Sequence, residues 1–504
     1  MTDITDGSDI ARPRSTADVV ALVQQARATG QPLYPLSTGM NWGYGGVVPP
    51  RAGCRLVDLS GMNQIRNAAV IGPRQPVALI EPGVTQQQLH QHLVRHAPTL
   101  RFNVTGSAAS TSILGNVLDR GVGYSGPRVD DLFGLEVVVG TGEVIHTGFR
   151  RLGEDSPLAH CHRHGLGPLP DGLFFQGNFG IVTSACFRLQ HKRPVELALS
   201  LGLRDGSRLA EFLDCVIALK RDALLTSVTH IGNASRARAT LRAGLSSYLK
   251  DRCHMAGAAL DKEIEAALSV VAGTPWTGLA SLTGNAGQVR AELAEIRARL
   301  RGLAEVRTFS SQLLAWGASL TDRLRSVPSL RRYAAALSAV LPLQALARGV
   351  PTDVAFDNLI GLYDEPGIPA AEYGRSRCGV LFISPAMPMD GALIDSTVTE
   401  LERIAQRHGH ALYATINIET DNSVVAVINL LFDKVDLAQI QQAHACAFAM
   451  HAEVQRRGLE VYRARVDQMP AVLARNPEYW ALLARLKAAW DPDGVIAPGR
   501  YSLV

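Results

Sequence analysis

GVGYSG, residues 121–126, fits the G-x-G-x-x-G pattern in which a glycine-rich turn cradles a dinucleotide pyrophosphate at the opening of a helix. That mechanism needs a strand before the motif, a helix starting inside it and an acidic residue about 20 positions further on. Here the order is inverted. SILGNVLDR (112–120) places Ile113, Leu114, Val117 and Leu118 on one helical face, so a helix precedes the glycines. Pro127 follows them, and the evident strand, Leu135 to Val139, comes afterwards. Glu143 has about the right spacing but lies just past a hairpin turn at Gly140-Thr141-Gly142. GVGYSG therefore reads as a helix end and loop, and the chain does not read as a nicotinamide-type enzyme.

Working outward, STADVVALVQQARAT (15–29) opens on Ser15 or Thr16 as N-cap and carries Val19, Val20, Leu22, Val23 and Ala26 at helical spacing. QPLYPLSTG (31–39) reads as a strand running into the glycine-rich loop NWGYGGVVPP (41–50). CRLVDLS (54–60), PVALIEPGV (76–84) and GLFFQGNFGIVTSACFRLQ (172–190) supply further strands, and QQQLHQHLVRHA (86–97) a helix. Beyond about residue 205 the texture turns helical, interrupted by the strands LYATINI and SVVAVINLLFD. A helix, YWALLARLKAAW, leads into a turn-rich tail.

With 504 residues the chain exceeds a single core and implies two domains, or one with a large insertion. Its 50 basic and 46 acidic residues leave +4, with no basic cluster interleaved with aromatics, so nucleic acid is not an expected partner. Seven cysteines without a C-x-x-C argue for a reducing compartment and against a disulfide frame or zinc ribbon. The acidic start MTDITDGSDIAR is no signal peptide, and the apolar run YAAALSAVLPLQALA (333–347) is too short to span a bilayer and holds Pro342. A cytoplasmic protein that does not enter membranes is expected.

The ordered set STGMNWGYGG (37–46), EPGVTQQQLHQHL (81–93), TSILGNVLDRGVGY (111–124), LEVVVGTGEVIHTG (135–148) and GPLPDGLFFQGNFGIVT (167–183) resembles the flavin-binding half of the vanillyl-alcohol oxidase and p-cresol methylhydroxylase family. The resemblance continues through RGVPT (348–352), LFISP (381–385), VYRARVDQM (461–469) and WDPDGVIAPGR (490–500), so it covers essentially the whole chain. It implies an α+β fold. An FAD-binding domain of two small mixed subdomains would comprise residues 1–196 and 465–504, and an α+β cap would comprise 197–464. The implied activity is that of an FAD-dependent oxidase or dehydrogenase moving a hydride from a small aromatic, phenolic substrate, of the 4-alkylphenol or benzylic alcohol type, to flavin N5. The alternative keeps FAD and changes the substrate to a non-phenolic alcohol, an amine or a secondary-metabolite intermediate.

A pyrophosphate surrounded by backbone N–H groups needs concave turns without Cβ atoms in the way. On the resemblance, Gly39, Gly43, Gly45 and Gly46 form one wall, Ser112, Gly115 and Asn116 a second, and Gly121 and Gly123 a third. Gly180, Ile181 and Val182 meet the cofactor through the main chain, and Ser37, Asn41, Pro82, Gly83 and Arg500 complete the expected set. The family's Tyr-Arg pair, which binds the phenolate oxygen, falls on Tyr462 and Arg463.

Three positions depart from the family. A third phenolate-binding tyrosine is Gln86 here. The loop after GVGY is shorter, which leaves Asp130 or Asp131 as the substitute for the family's acidic residue. A histidine that can carry a covalent flavin link is Val380, so the flavin is expected to be non-covalent.

His160, Cys161, His162 and His164 in HCHRHGLGP (160–168) have no partner cluster, so no metal is expected; His164 or His162 is a candidate general base beside Asp130 and Asp131. The basic, apolar stretch 323–349 reads as a cap helix pair, with a docking or membrane-surface element of an electron-transfer subunit as the other reading. The expected partners are a small-molecule substrate and a second copy of the chain as a homodimer.

Overall fold

The computed structural model describes residues 10–363 and 368–503, so most of the acidic start lies outside the described residues. The first helix, Thr16–Thr29, is fixed at both ends by local chemistry. The Ser15 hydroxyl accepts from the Asp18 amide at 3.2 Å while Asp18 accepts from the Ser15 amide at 3.0 Å, and Gly30 closes the other end with φ of 73°. Its buried face of Val19, Val23 and Ala26 packs on a three-stranded parallel sheet in the order Ile10–Ala11, Arg55–Asp58, Leu33–Leu36.

The chain terminus completes this small core, because Val495 and Ile496 pack into it and Ile496 bridges Leu33. The return is held by a buried ion pair. Lys487 Nζ donates to Asp491 at 2.6 Å and to the carbonyls of Asn178 and Ile496, and Asp491 accepts from the amides of Val495 and Ile496.

A second, antiparallel sheet runs Val77–Ile80, Gly180–Arg188, Leu132–Val139, Val144–His146. Its last two strands form the hairpin expected at 135–148, with Gly142 in the left-handed region at φ of 89°. Across both subdomains lies Glu136, which accepts hydrogen bonds from Thr16, Arg66 and Thr183 and faces His146. Burial pushes its carboxyl upward, but these four partners overcome that and hold it well below the ordinary carboxylate range.

The middle of the chain builds an eight-stranded sheet in which every neighbouring pair is antiparallel. Its order is Ala304–Phe309, Val195–Leu203, Trp276–Gly284, Thr229–Asn233, Tyr413–Ile418, Val424–Asp433, Cys378–Met387, Glu460–Arg463. One face is covered by amphipathic helices such as Leu209–Arg221 and Gly391–Arg407, whose apolar sides merge into the largest core. The architecture is α+β, with two small mixed subdomains below and this sheet above.

The stretch 323–349 supplies the helix Pro328–Ala347. Its alanines 334, 335 and 339 are buried against helices Ala234–Cys253 and Gly257–Val271, and Arg331 and Arg332 both pair with Glu263. The alanine face is thus an internal one, while Leu324, Val327 and Tyr333 of the same stretch stay exposed. Among the described residues no helix is long and apolar enough to cross a membrane.

Candidate active site

Helix Ile113–Leu118 precedes GVGYSG, as the periodicity requires. Ser112 caps it: its Oγ accepts from the Gly115 amide at 2.9 Å and donates to the Pro82 carbonyl at 2.5 Å. The motif itself is a docking loop. Tyr124 packs its ring 4.3 Å from that of His230, and its carbonyl accepts from the Val228 amide, so the loop is pinned to the large sheet. Burial raises the Tyr124 hydroxyl to about 12.

A trough runs between the lower subdomains. Of the residues expected at a cofactor, Ser37, Gly39, Asn41, Gly46, Pro82, Ser112, Gly115, Asn116, Gly180, Ile181, Val182 and Arg500 line it. Gly43, Gly45, Gly83, Gly121 and Gly123 do not line it. A Cβ at Gly43 would strike the Phe382 ring, at Gly45 Val466, at Gly83 the Ser60 carbonyl, at Gly121 Asn116 and at Gly123 Asn103. These five glycines let loops lie flat against protein rather than against a ligand.

Two charged dipeptides build the wall between the trough and a second cavity of about 380 Å³. At the end of helix Ile113–Leu118, Asp119 lines the trough and Arg120 the cavity. In the edge strand Glu460–Arg463, Arg463 lines the trough and Tyr462 the cavity. Adjacent residues of a strand point to opposite sides, which is why the Tyr-Arg pair is split.

Asp119 is shared by two guanidiniums: Arg500 donates to it at 2.9 Å and Arg463 pairs with its other oxygen. Arg463 also donates to Asn41 Oδ1 and lies over the Tyr44 ring, while the Tyr44 hydroxyl is 2.7 Å from Ser384 Oγ. Burial disfavours the charge on Arg500, but Asp119 more than offsets it and keeps the group cationic.

The second cavity joins the two parts of the molecule. Val129, Leu132, Phe133, Leu169 and Phe175 give it an apolar, partly aromatic wall, and Glu419 and Tyr462 close it from the large sheet. Glu419 is only 4% exposed and its Oε1 has no hydrogen-bond partner. Burial, opposed by Lys220 and reinforced by Asp130, pushes its carboxyl up to about 7. Burial likewise raises the Tyr462 hydroxyl, aided by Glu419, so Tyr462 stays a neutral donor.

Four relatives bear on this geometry. Residues 8–148 match the family model for an FAD binding domain. The 1'-carboxy-chondrochloren decarboxylase of Chondromyces crocatus is 31% identical over 502 residues, covering 98% of this chain and 90% of that protein. The flavoprotein subunit of 4-cresol dehydrogenase [hydroxylating] from Pseudomonas putida is 26% identical over 94% of this chain and 83% of its own. Among solved structures, the 4-ethylphenol oxidase from Gulosibacter chungangensis in its isoeugenol complex superposes with a TM-score of 0.81 at 24% identity, over 99% of this chain and 90% of that one. Substrate-bound p-cresol methylhydroxylase superposes with a TM-score of 0.78 at 23% identity, over 98% and 89%. The chain belongs to the vanillyl-alcohol oxidase and p-cresol methylhydroxylase family. It is an FAD-dependent oxidoreductase.

The trough fits FAD on its own chemistry. Among the described residues, no acceptor is paired with the backbone amides of Thr38, Gly39, Met40 or Asn41, so this turn offers a row of free N–H donors. Arg500 Nη1 and Arg463 Nε are buried without hydrogen bonds, and a Cβ built at Gly46 would enter open space. Leu59, Leu114, Leu118, Phe174 and Ile181 supply the apolar walls that a flat ring system needs.

Other candidates fall elsewhere. His164 and His162 are exposed and line neither cavity; His162 packs edge-on against Phe149. Asp130 is half-buried, lines neither cavity and is paired with Arg163 at 2.7 Å. Asp131 is buried and braced by Arg188 and Asn103. Gln86 is fully buried, with its amide spent on the backbone: it donates to the Ala108 carbonyl at 3.1 Å and accepts from the Thr105 amide at 2.9 Å. It is a brace for the loop before Ser112 rather than a group facing ligand. Val380 is buried in an apolar cluster.

Asp119, Arg120 and Glu419 escaped the sequence reading. The first two had a weak signal, a charged pair between a short helix and a glycine loop. Glu419 had none, being one acid where a β-branched strand meets a turn.

Proposed function

We propose that this enzyme oxidises a small aromatic, phenolic substrate seated in the cavity behind Tyr462, next to the flavin in the trough. The shared wall supports this reading: two dipeptides from separate parts of the chain divide one space for cofactor from one for an apolar, aromatic-sized ligand. On this view residues 1–196 and 465–504 hold FAD and the cap, 197–464, roofs it.

Ser37, Asn41, Ser112, Asn116 and Arg500, with the glycine turns at 39, 46, 115 and 180, would hold the cofactor. Bound FAD supplies a two-electron hydride acceptor. Tyr462, kept neutral by burial, donates to the substrate oxygen, and Arg463 supplies fixed positive charge at the same wall. Glu419, with a carboxyl near 7, is the group in the cavity suited to take the phenolic proton. As that proton leaves, the phenolate electrons expel a hydride from the carbon attached at the para position, and the substrate becomes a quinone methide. Asp130 and His164 line neither cavity and carry no step of the reaction, and Asp130 acts only through its charge on Glu419. That neither histidine nor cysteine is among the described trough-lining residues supports a non-covalently held FAD.

Anaerobic mixing with 4-alkylphenols and 4-hydroxybenzyl alcohols tests the reading. Bleaching of the flavin band is expected, and no bleaching by any of them overturns the phenolic assignment. A second reading, a non-phenolic alcohol, amine or biosynthetic intermediate, draws support from Gln86, whose commitment to the backbone removes one phenolate contact.

A further inference from the structure

We infer that Arg120 is a carboxylate anchor in the substrate cavity, and hence that this enzyme's substrates are aromatic acids; the inference rests on the reading of that cavity given above.

Arg120 is uncommitted. It is exposed at the cavity, and among the described residues its side chain has no ion-pair or hydrogen-bond partner, whereas its neighbours are all engaged: Arg163 at the cavity rim with Asp130, and Arg463 and Arg500 behind the wall with Asp119. Its backbone sits in the left-handed region at φ of 54°, one residue past the C-cap of helix Ile113–Leu118. Glycine is the ordinary choice there, and a side chain costs on the order of 1 kcal/mol. The same turn sends Asp119 into the trough and Arg120 into the cavity.

The cavity's other polar groups leave that charge standing. Glu419 and Asp171 are each 4% exposed, with oxygens that accept no hydrogen bond. Burial raises both carboxyls, Glu419 to about 7, which weakens them as counter-ions to Arg120 and leaves Glu419 able to take a proton. A guanidinium never loses its proton and meets a carboxylate through two parallel N–H donors. With Leu132, Phe133, Leu169 and Phe175 as the wall, the complementary ligand has an aromatic body and one anionic end.

The test follows flavin reduction in the FAD-loaded enzyme, without oxygen, as its rate saturates with 3-(4-hydroxyphenyl)propanoate, neutral 4-propylphenol and cationic tyramine, and reads an apparent dissociation constant for each. A charge-assisted pair predicts propanoate binding at least about tenfold tighter than 4-propylphenol. Arg120→Gln should bring that ratio to within about twofold, and Arg163→Gln, removing a charge already paired, should keep it. A wild-type enzyme without the preference, or one preferring tyramine, overturns the proposal, as does a preference that survives Arg120→Gln or disappears in Arg163→Gln. If none of the three ligands perturbs the flavin, the cavity is not the substrate site and the functional reading falls with it.

Discussion

The guanidinium carbon of Arg463 lies 4.1 Å from the centroid of the Tyr44 ring. The contact joins the edge strand of the large sheet to the glycine loop of the trough, and it fixes where a buried positive charge sits. Tyr44 is itself held by Ser384 and by Phe382, whose ring stacks at 4.9 Å. Arg463→Ala removes the charge at the cofactor wall. Anaerobic flavin reduction should slow by about 2–4 kcal/mol, roughly 30- to 1000-fold, in stopped-flow traces. An unchanged rate would show that the charge does not act on the reaction.

Glu419 makes stability depend on pH in a defined direction. Its carboxyl rises from 4.5 to about 7 on folding, so between those values the folded state holds the proton that the unfolded chain releases. Stability therefore falls as pH rises through that window, by up to about 3 kcal/mol, and levels off above it. Urea-unfolding midpoints at pH 5 and pH 8 should differ accordingly, and Glu419→Gln should remove most of the difference.

The pair of Lys487 and Asp491 fastens the C-terminal tail. Both side chains are essentially inaccessible, and between them they make five hydrogen bonds, one to each other and four to backbone. Lys487→Ala strands a buried carboxylate and should cost about 3–5 kcal/mol. Denaturant unfolding reads this directly, and a loss below 1 kcal/mol would mean that the tail is held by its apolar contacts alone.

Cofactor removal provides the fourth check. Acid precipitation should leave the yellow colour in the supernatant, whereas a yellow pellet would show a covalent link. FAD supplied to the apoprotein at a hundred times its dissociation constant should restore about 2.7 kcal/mol of stability. Calorimetry with and without FAD measures it.

The amino-acid order alone carried the local elements. Ser15 and Asp18 write a helix start, the run Ile113–Leu118 writes a helix before its glycines, and that inversion excludes a Rossmann turn. Those signals survive without tertiary context because caps and periodicity act within one or two turns. The ordered motifs also pointed to the flavin family, since together they span the chain.

Which side of each loop meets a cavity was decided only by the folded whole. Gly46 opens onto the trough while Gly43 and Gly45, in the same loop, are pressed against Phe382 and Val466, more than 330 residues away in sequence. Asp119 and Arg120 part to opposite cavities, Gln86 turns inward to the backbone, and Glu419 loses its water only when strands from two regions close over it. Burial and facing are properties of segments brought together from far along the chain, and no short window of sequence contains them.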